Sequence, residues 1–224
     1  MTAPRWHPSP NFGPRRGGLL PSLIVIHYTA MEGARAALDR LCDPASEVSA
    51  HYLIGADGRV WQMVREEMLA WHAGAGEWHG QDDINSRSIG IELDNRGDHP
   101  FSEPLMATLE ALLGGIMQRW DIGPEGVIGH SDMAPGRKSD PGPRFDWARL
   151  ARCGLALCPR PGPETPPDPA GFRALARRAG FTAPCTDTAL LAAVRLRLRP
   201  WGRGALGPAD MAAVQGAAAA CSPA

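Results

Sequence analysis

Seven histidines occur in this chain, and two of them close short apolar runs where a backbone can hold a side chain for chemistry. His27 stands near the end of LIVIHY (23–28), and His130 follows GVIG (126–129). The segment GHSDMAPGRKSDPG (129–142) then adds Lys138 and Asp140. Such a segment is not a helix interior, because Pro135 lacks an N–H and its glycines lose backbone entropy on ordering. It is a stiff loop that carries an imidazole, an ammonium and a carboxylate. Two imidazoles and one carboxylate make a three-ligand set that leaves a zinc ion a fourth position for water. Without thiolates the ion stays a strong Lewis acid, able to bring the pKa of that water to about 7. His51, His72 and His79 are alternative ligands, and a lone strand histidine is commonly a hydrogen-bonded core residue. Spacing by itself does not choose among them.

The elements that must position these groups read as an α/β fold. LIVIHY is a continuous apolar run bounded by Pro21, the pattern of a strand covered on both faces. Residues 33–43 place Ala34, Ala37, Leu38 and Leu41 at helical spacing, and Pro44 stops them. HYLIGADGRVWQMV (51–64) holds two β-rich runs around Asp57-Gly58, a hairpin signal. A loop rich in Gly, Trp and His covers 70–87. SIGIELDN (88–95) alternates Ile89, Ile91 and Leu93 against Ser88, Gly90, Glu92 and Asp94, as a strand does. From Ser102, a plausible N-cap, Leu105, Leu109, Leu112, Leu113, Ile116, Met117 and Trp120 trace one apolar helical face. Residues 126–130 are a short strand, and 145–153 a closing helix. Interleaved strands and helices with one hairpin imply a mixed central β-sheet flanked by helices.

CPRPGPETPPDPAG (158–171) contains six prolines and no periodicity, so it is expected to be a semi-rigid linker. Beyond it, helical patterns over 172–179, 188–198 and 209–220 predict a small all-α, three-helix C-terminal domain. The expected division is 1–157, linker 158–171, and 172–224, with the first domain able to act on soluble substrates without residues 160–224.

Composition narrows the function. With 44% hydrophobic and 21% charged residues the 224-residue chain can bury a substantial core. A net charge of −1 argues against a nucleic-acid partner, and no apolar run approaches the roughly 20 residues that span a bilayer. The Pro- and Arg-containing start lacks the apolar core of a signal peptide. Cys42, Cys153, Cys158, Cys185 and Cys221 are an odd count with no CxxC pair, which fits free thiols in a reducing compartment. A cytoplasmic protein, acting as a monomer, is the expectation.

LIVIHYTA, SAHYLIGADGRVWQMV, WHAG, SIGIELDNRG and GHSDMAPGRKSDPG stand here in the order and rough spacing of the type 2 N-acetylmuramoyl-L-alanine amidases. The chain resembles that family from about Ser9 to Ala151, and five motifs in register are a specific signal. Its members are zinc enzymes that cut the amide between the lactyl group of muramic acid and the L-Ala of the peptidoglycan stem peptide. The resemblance implies that zinc is bound by His27, His130 and Asp140. Asp140 stands where some relatives carry Cys and where recognition proteins that lost catalysis often lack a ligand. Glu92 matches the family's acidic residue beside the zinc-bound water, and Lys138 its basic partner. A carboxylate can move the proton from attacking water to the leaving amine, while zinc and a fixed ammonium stabilise the oxyanion. Some relatives place Tyr where this chain has Ala50, which leaves the proton transfer to Glu92.

The resemblance also suggests substrate contacts. Trp71 and His72 lie where the family lines its cleft, although Trp71 equally suits a core. His51 either faces the site or bridges backbone groups. Asn95 and Arg96 could hold acyl or carboxylate groups of a muropeptide. The helical tail is similar to a degenerate peptidoglycan-binding domain, with Val194-Arg195 where such domains often show Phe-Gln. Seven arginines (Arg173, Arg177, Arg178, Arg195, Arg197, Arg199, Arg203) against Asp187 and Asp210 make a basic face for an anionic glycan, or merely a solvated one. The expected activity is a zinc-dependent amidase that recycles anhydro-muropeptides. Its rivals are a phage-type or gene-transfer-particle endolysin acting on intact wall, and a non-catalytic peptidoglycan-recognition module. A zinc peptidase would want an H-E-x-x-H motif, which the chain lacks.

Overall fold

The computed structural model describes residues 3–221; residues 1–2 and 222–224, the extreme ends of the expected first domain and of the tail, lie outside them. In chain order the strands and helices are β1 (Arg5–Trp6), β2 (Phe12–Pro14), β3 (Leu23–Tyr28), α1 (Gly33–Leu41), β4 (Tyr52–Ile54), β5 (Val60–Gln62), β6 (Met68–Ala70) and α2 (Ile84–Arg87). They continue as β7 (Ser88–Leu93), α3 (Glu103–Trp120), β8 (Val127–Gly129), α4 (His130–Met133), α5 (Trp147–Arg152), α6 (Pro169–Arg178), α7 (Asp187–Leu198) and α8 (Pro208–Ala220).

Six strands form one mixed sheet in the order β1-β5-β4-β7-β3-β8, and β2 pairs with β6 apart from it. The hairpin expected at Asp57-Gly58 is present as the antiparallel β4–β5 pair. Gly58, at φ +81°, turns beneath α3; a Cβ there would lie 2.8 Å from the Pro104 carbonyl oxygen. β3 runs parallel to both neighbours, β7 and β8, so the carboxyl ends of three strands align at one edge of the sheet.

β3 reads as unbroken apolar because both of its faces are covered. Ile24 and Ile26 join Ile89, Ile91, Leu93 and the buried leucines of α3 in one core. Leu23 and Val25 face the other way, into a core completed by Phe172, Leu190, Val194 and Met211 of the C-terminal helices. The boundary at residue 157 is therefore no break in packing. The Pro-rich segment 158–168 is irregular, yet it lies against α8, where Gly162 N donates to Ala212 O (2.8 Å) and Gln215 Nε2 to Thr165 Oγ1 (3.1 Å).

Two local readings differ from the sequence. Ser102 stands at the N-cap of α3, but its hydroxyl donates to Ala56 O (2.5 Å) and caps nothing. The basic face of the tail is largely paired: Arg173 meets Asp187, Arg195 and Arg199 meet Asp210, and Arg197 meets Asp132. Among the described residues no helix is long and apolar enough to cross a membrane.

Candidate active site

The aligned carboxyl ends of β3, β7 and β8 open onto a cleft of about 390 Å³, the usual place for a site on such a sheet. His27, next to last in β3, lies directly opposite Glu92 on β7. β8 delivers His130, which begins the turn of α4 instead of ending the strand. Ser131 N donates to Asp140 O (2.9 Å), folding the 129–142 loop so that Asp140 meets His130 across its mouth.

Three atoms converge there. His27 Nδ1 lies 2.9 Å from His130 Nδ1 and 2.9 Å from Asp140 Oδ2, and His130 Nδ1 lies 3.0 Å from the same oxygen. All three residues are buried. The partners of the other ring nitrogens show which groups carry protons. Ser88 Oγ donates to Ile84 O (2.5 Å), so it accepts from His72 Nε2 (3.3 Å). His72 Nδ1 then accepts from His27 Nε2 (3.0 Å), which leaves a bare lone pair on His27 Nδ1. His130 Nε2 donates to Ala73 O (2.9 Å), so in the neutral ring Nδ1 again holds the lone pair. Two lone pairs and a carboxylate oxygen thus face one another with no proton between them. A cation resolves that conflict. Donor atoms about 3.3 Å apart suit tetrahedral bonds of about 2.0–2.1 Å, close to the triangle observed, and these three residues could hold a metal ion.

The electrostatics favour the ligand-ready forms. Burial, with the neighbouring His130, lowers the His27 pKa to about 4, against the pull of Asp140, so the ring is neutral near pH 7. Burial would raise the Asp140 carboxyl, but its close contacts with His130 and His27 outweigh it and hold it well below the usual carboxylate range. Glu92 lies alongside with Oε2 enclosed and unpartnered. Burial, then the charge of Asp140, pushes its carboxyl up to about 8, with the Lys138 ammonium opposing. A carboxyl held near neutrality is suited to taking and returning a proton.

Of the residues named from sequence, the fold brings His27, His130, Asp140, Glu92, Lys138, Trp71 and His72 to one cleft. His51 does not reach it. Its Nδ1 accepts from Gly90 N (2.9 Å) and its Nε2 donates to Met68 O (3.0 Å), so the ring bridges neighbouring backbone segments. Asn95 is also turned inward: it donates to His99 O (3.3 Å) and accepts from Gly97 N (2.7 Å), organising the loop after β7. Arg96 pairs with Glu32 at 2.8 Å and lies outside the cleft lining. His79 is exposed, with its backbone on Gly180 O. His72 does line the cleft, but both its ring nitrogens are engaged, one of them by His27.

Arg137 was not singled out by sequence, although it adjoins Lys138. Its Nη2 donates to Ala73 O (2.6 Å) and to Ala75 O, and so fastens the 73–75 segment whose carbonyl receives His130. Tyr28 and Ser139, joined by a 3.0 Å hydroxyl contact, complete the rim.

A model of the N-acetylmuramoyl-L-alanine amidase family (Amidase_2) matches residues 17–143, a span holding the three candidate ligands, Glu92 and Lys138. The chain belongs to this family of amidases. Its relative AmiD, an N-acetylmuramoyl-L-alanine amidase of Escherichia coli K12, is 36% identical over 209 residues, covering 80% of this chain and 75% of AmiD. The E. coli AmiD structure, solved with the substrate anhydro-N-acetylmuramic acid-L-Ala-D-gamma-Glu-L-Lys, is similar at a TM-score of 0.80 and 34% identity, over 92% of this chain and 89% of that one. AmpDh3 from Pseudomonas aeruginosa, in complex with anhydromuramic pentapeptide, gives a TM-score of 0.77 at 30% identity over 93% of each chain. The 1,6-anhydro-N-acetylmuramyl-L-alanine amidase AmpD of Citrobacter freundii is 35% identical but matches only 64% of this chain, over 86% of its own length. The protein is an amidase enzyme, with the mixed α/β fold expected of it.

Proposed function

We propose that this amidase is zinc-dependent and hydrolyses the amide between anhydro-N-acetylmuramic acid and the L-Ala of stem peptides. The observation that carries the reading is the meeting of two bare imidazole nitrogens and one carboxylate oxygen beside the unpartnered Glu92 Oε2. The ligands named in the AmiD and AmpDh3 structures supply the substrate class. When bound by His27, His130 and Asp140, zinc makes water nucleophilic at neutral pH and polarises a carbonyl.

The chain's own residues do the rest. Glu92 Oε2 takes the proton of the attacking water and delivers it to the leaving nitrogen, a role worth about 10²–10⁴-fold. Lys138, an exposed ammonium at the cleft, stabilises the charge that grows on the carbonyl oxygen. His72 keeps the His27 ring in the tautomer a metal needs. Trp71 offers an apolar wall to the sugar or peptide. The proposed setting is muropeptide recycling in the cytoplasm.

Mass spectrometry of a defined anhydro-muropeptide and its reducing counterpart, with and without a chelator, tests this reading. Release of stem peptide from the anhydro form, blocked by chelator and restored by zinc, is the expected result. Equal cleavage of both forms would argue for a lytic enzyme of broad preference. No cleavage of either would leave only a binding module.

A further inference from the structure

Among the described residues β8 is the edge strand of the sheet, paired with β3 alone, and it delivers His130. Its outer side is met by Arg197 of α7, one of the arginines read from sequence as a basic face for a glycan or merely a solvated one. The guanidinium is buried, with 9% of the side chain exposed. Nη1 and Nη2 donate to Val127 O (3.3 and 3.2 Å), Nη2 to Leu157 O (2.9 Å), and Nη1 to Asp132 Oδ2 (3.3 Å). Its flat face covers Trp147, 3.6 Å from the ring centre.

Three of these partners, Asp132, Trp147 and Val127, bear on the loop of the candidate ligands. Asp132 Oδ2 also accepts from Gly129 N (2.8 Å), closing the single turn of helix that starts at His130. Trp147 and Pro141 crowd Gly129 so closely that a Cβ there would lie 3.3 and 2.8 Å from them, and Pro141 follows Asp140. Val127 lies three residues before His130 on the delivering strand. A four-residue helix has little stability of its own, so its orientation depends on such outside contacts. Arg197 grips the strand, the turn and the aromatic ring behind the loop together.

We propose that Arg197 is a positioning residue for the metal site, holding through Asp132 and Val127 the turn that presents His130, so that the C-terminal helices complete the catalytic centre from behind. The proposal rests on the reading of His27, His130 and Asp140 as metal ligands. It accounts for a buried guanidinium that a glycan-binding face would leave exposed. The planar fork spans two carbonyls and a carboxylate, which a single ammonium cannot match.

The test compares full-length wild type with Arg197→Met and Arg197→Lys, each confirmed as folded by circular dichroism. Zinc affinity is measured against a chelating indicator, and the cobalt-substituted proteins give visible spectra that report ligand geometry. Loss of a group bonded directly to a metal ligand weakens metal binding by about 10–100-fold; Arg197 stands one contact further out, which sets its effect at the low end, about tenfold. That loss is expected in Arg197→Met, with a changed cobalt spectrum and a fall in kcat at nearly constant KM. Arg197→Lys, which keeps a cation beside Asp132, is expected to lose less. A folded Arg197→Met protein with wild-type zinc affinity and cobalt spectrum overturns the proposal. Should that variant not fold, Arg197→Lys decides in the same way, and wild-type values in it overturn the proposal. If wild type itself takes up no zinc, the metal reading fails first and this proposal with it.

Discussion

Gly90→Ala adds one methyl group on β7, and the structure says where that methyl goes. A Cβ at residue 90 would lie 2.5–2.6 Å from the Cγ, Cδ2 and Nδ1 atoms of His72. Gly90 has no positive φ, so alanine meets no backbone objection and the effect is steric. To reach an ordinary 3.4 Å contact the ring must retreat by about 0.9 Å (3.4 − 2.5). His72 has little freedom to do so: its backbone N donates to Asn85 Oδ1 (3.1 Å) and its ring is held by Ser88 and His27. A displacement of that size along the 3.0 Å bond to His27 takes it beyond hydrogen-bonding range. Overpacking of this kind costs about 1–3 kcal/mol of stability. Loss of the partner that orients a metal-binding imidazole costs about 10–100-fold in metal affinity. Zinc titration against a chelating indicator reads the second effect, and urea unfolding of the metal-free protein reads the first. A Gly90→Ala protein that binds zinc as wild type does, while losing stability, would show that His72 does not orient His27.

Three more outcomes are expected. Without a cation Glu92 keeps its proton up to about pH 8; a nearby divalent ion favours the carboxylate, so zinc binding at pH 6.5 should release a proton. Calorimetry in buffers of different ionisation enthalpy detects it, and Glu92→Gln should abolish that release, retain zinc and lower kcat by about 10²–10⁴-fold. Ending the chain at residue 157 exposes Leu23, Val25, Trp78, Ile128 and Met133 to water. At about 1.5–3 kcal/mol per large apolar side chain, that loss rivals the whole stability of a domain, about 5–15 kcal/mol. The fragment is therefore expected to aggregate or bind a hydrophobic dye, and a folded, active, monomeric fragment would disprove the shared core. Last, burial would raise the Glu66 carboxyl, but hydrogen bonds from Arg119, Trp120 and Tyr52 outweigh it and lower its pKa. The stabilisation is present above the unfolded pKa of about 4.3 and lost as pH falls through the lower folded value. Glu66→Gln should cost about 1–3 kcal/mol at pH 7, with the gap to wild type closing in acid, as denaturant midpoints will show.

Part of the candidate site was legible because its signals are local. An apolar run that carries a histidine near its end announces a buried strand with an imidazole at its edge, and a loop of Gly and Pro announces a fixed backbone. Spacing did not choose among the histidines; the resemblance to the amidase family singled out His27, His130 and Asp140 as candidate ligands, with Glu92 and Lys138 beside them. The main strands and α3 follow from periods that six or more residues make visible. Strands β1, β2 and β6, of two or three residues each, have no period to read. They exist because a distant segment pairs with them, as Phe12 does with Ala70.

Other assignments depended on what the fold placed nearby. His51 and His72 are the same residue type, yet one ring bridges backbone groups and the other adjoins the candidate ligand His27. A side chain's chemistry is written in the sequence, but its hydrogen-bond partners are not. Asn95 and Arg96 turn from the cleft for that reason, each satisfied by a neighbour. The tail shows the same division most clearly. Sequence alone determined that it would be three helices after a Pro-rich segment, since caps, breakers and helical spacing are properties of the chain itself. Only the tertiary structure decided that its apolar faces would close over Val25 and Ile128 and that Arg197 would reach Asp132. Burial and pairing are set by whichever surface comes to lie opposite, and over the 65 positions from Asp132 to Arg197 no local pattern records it.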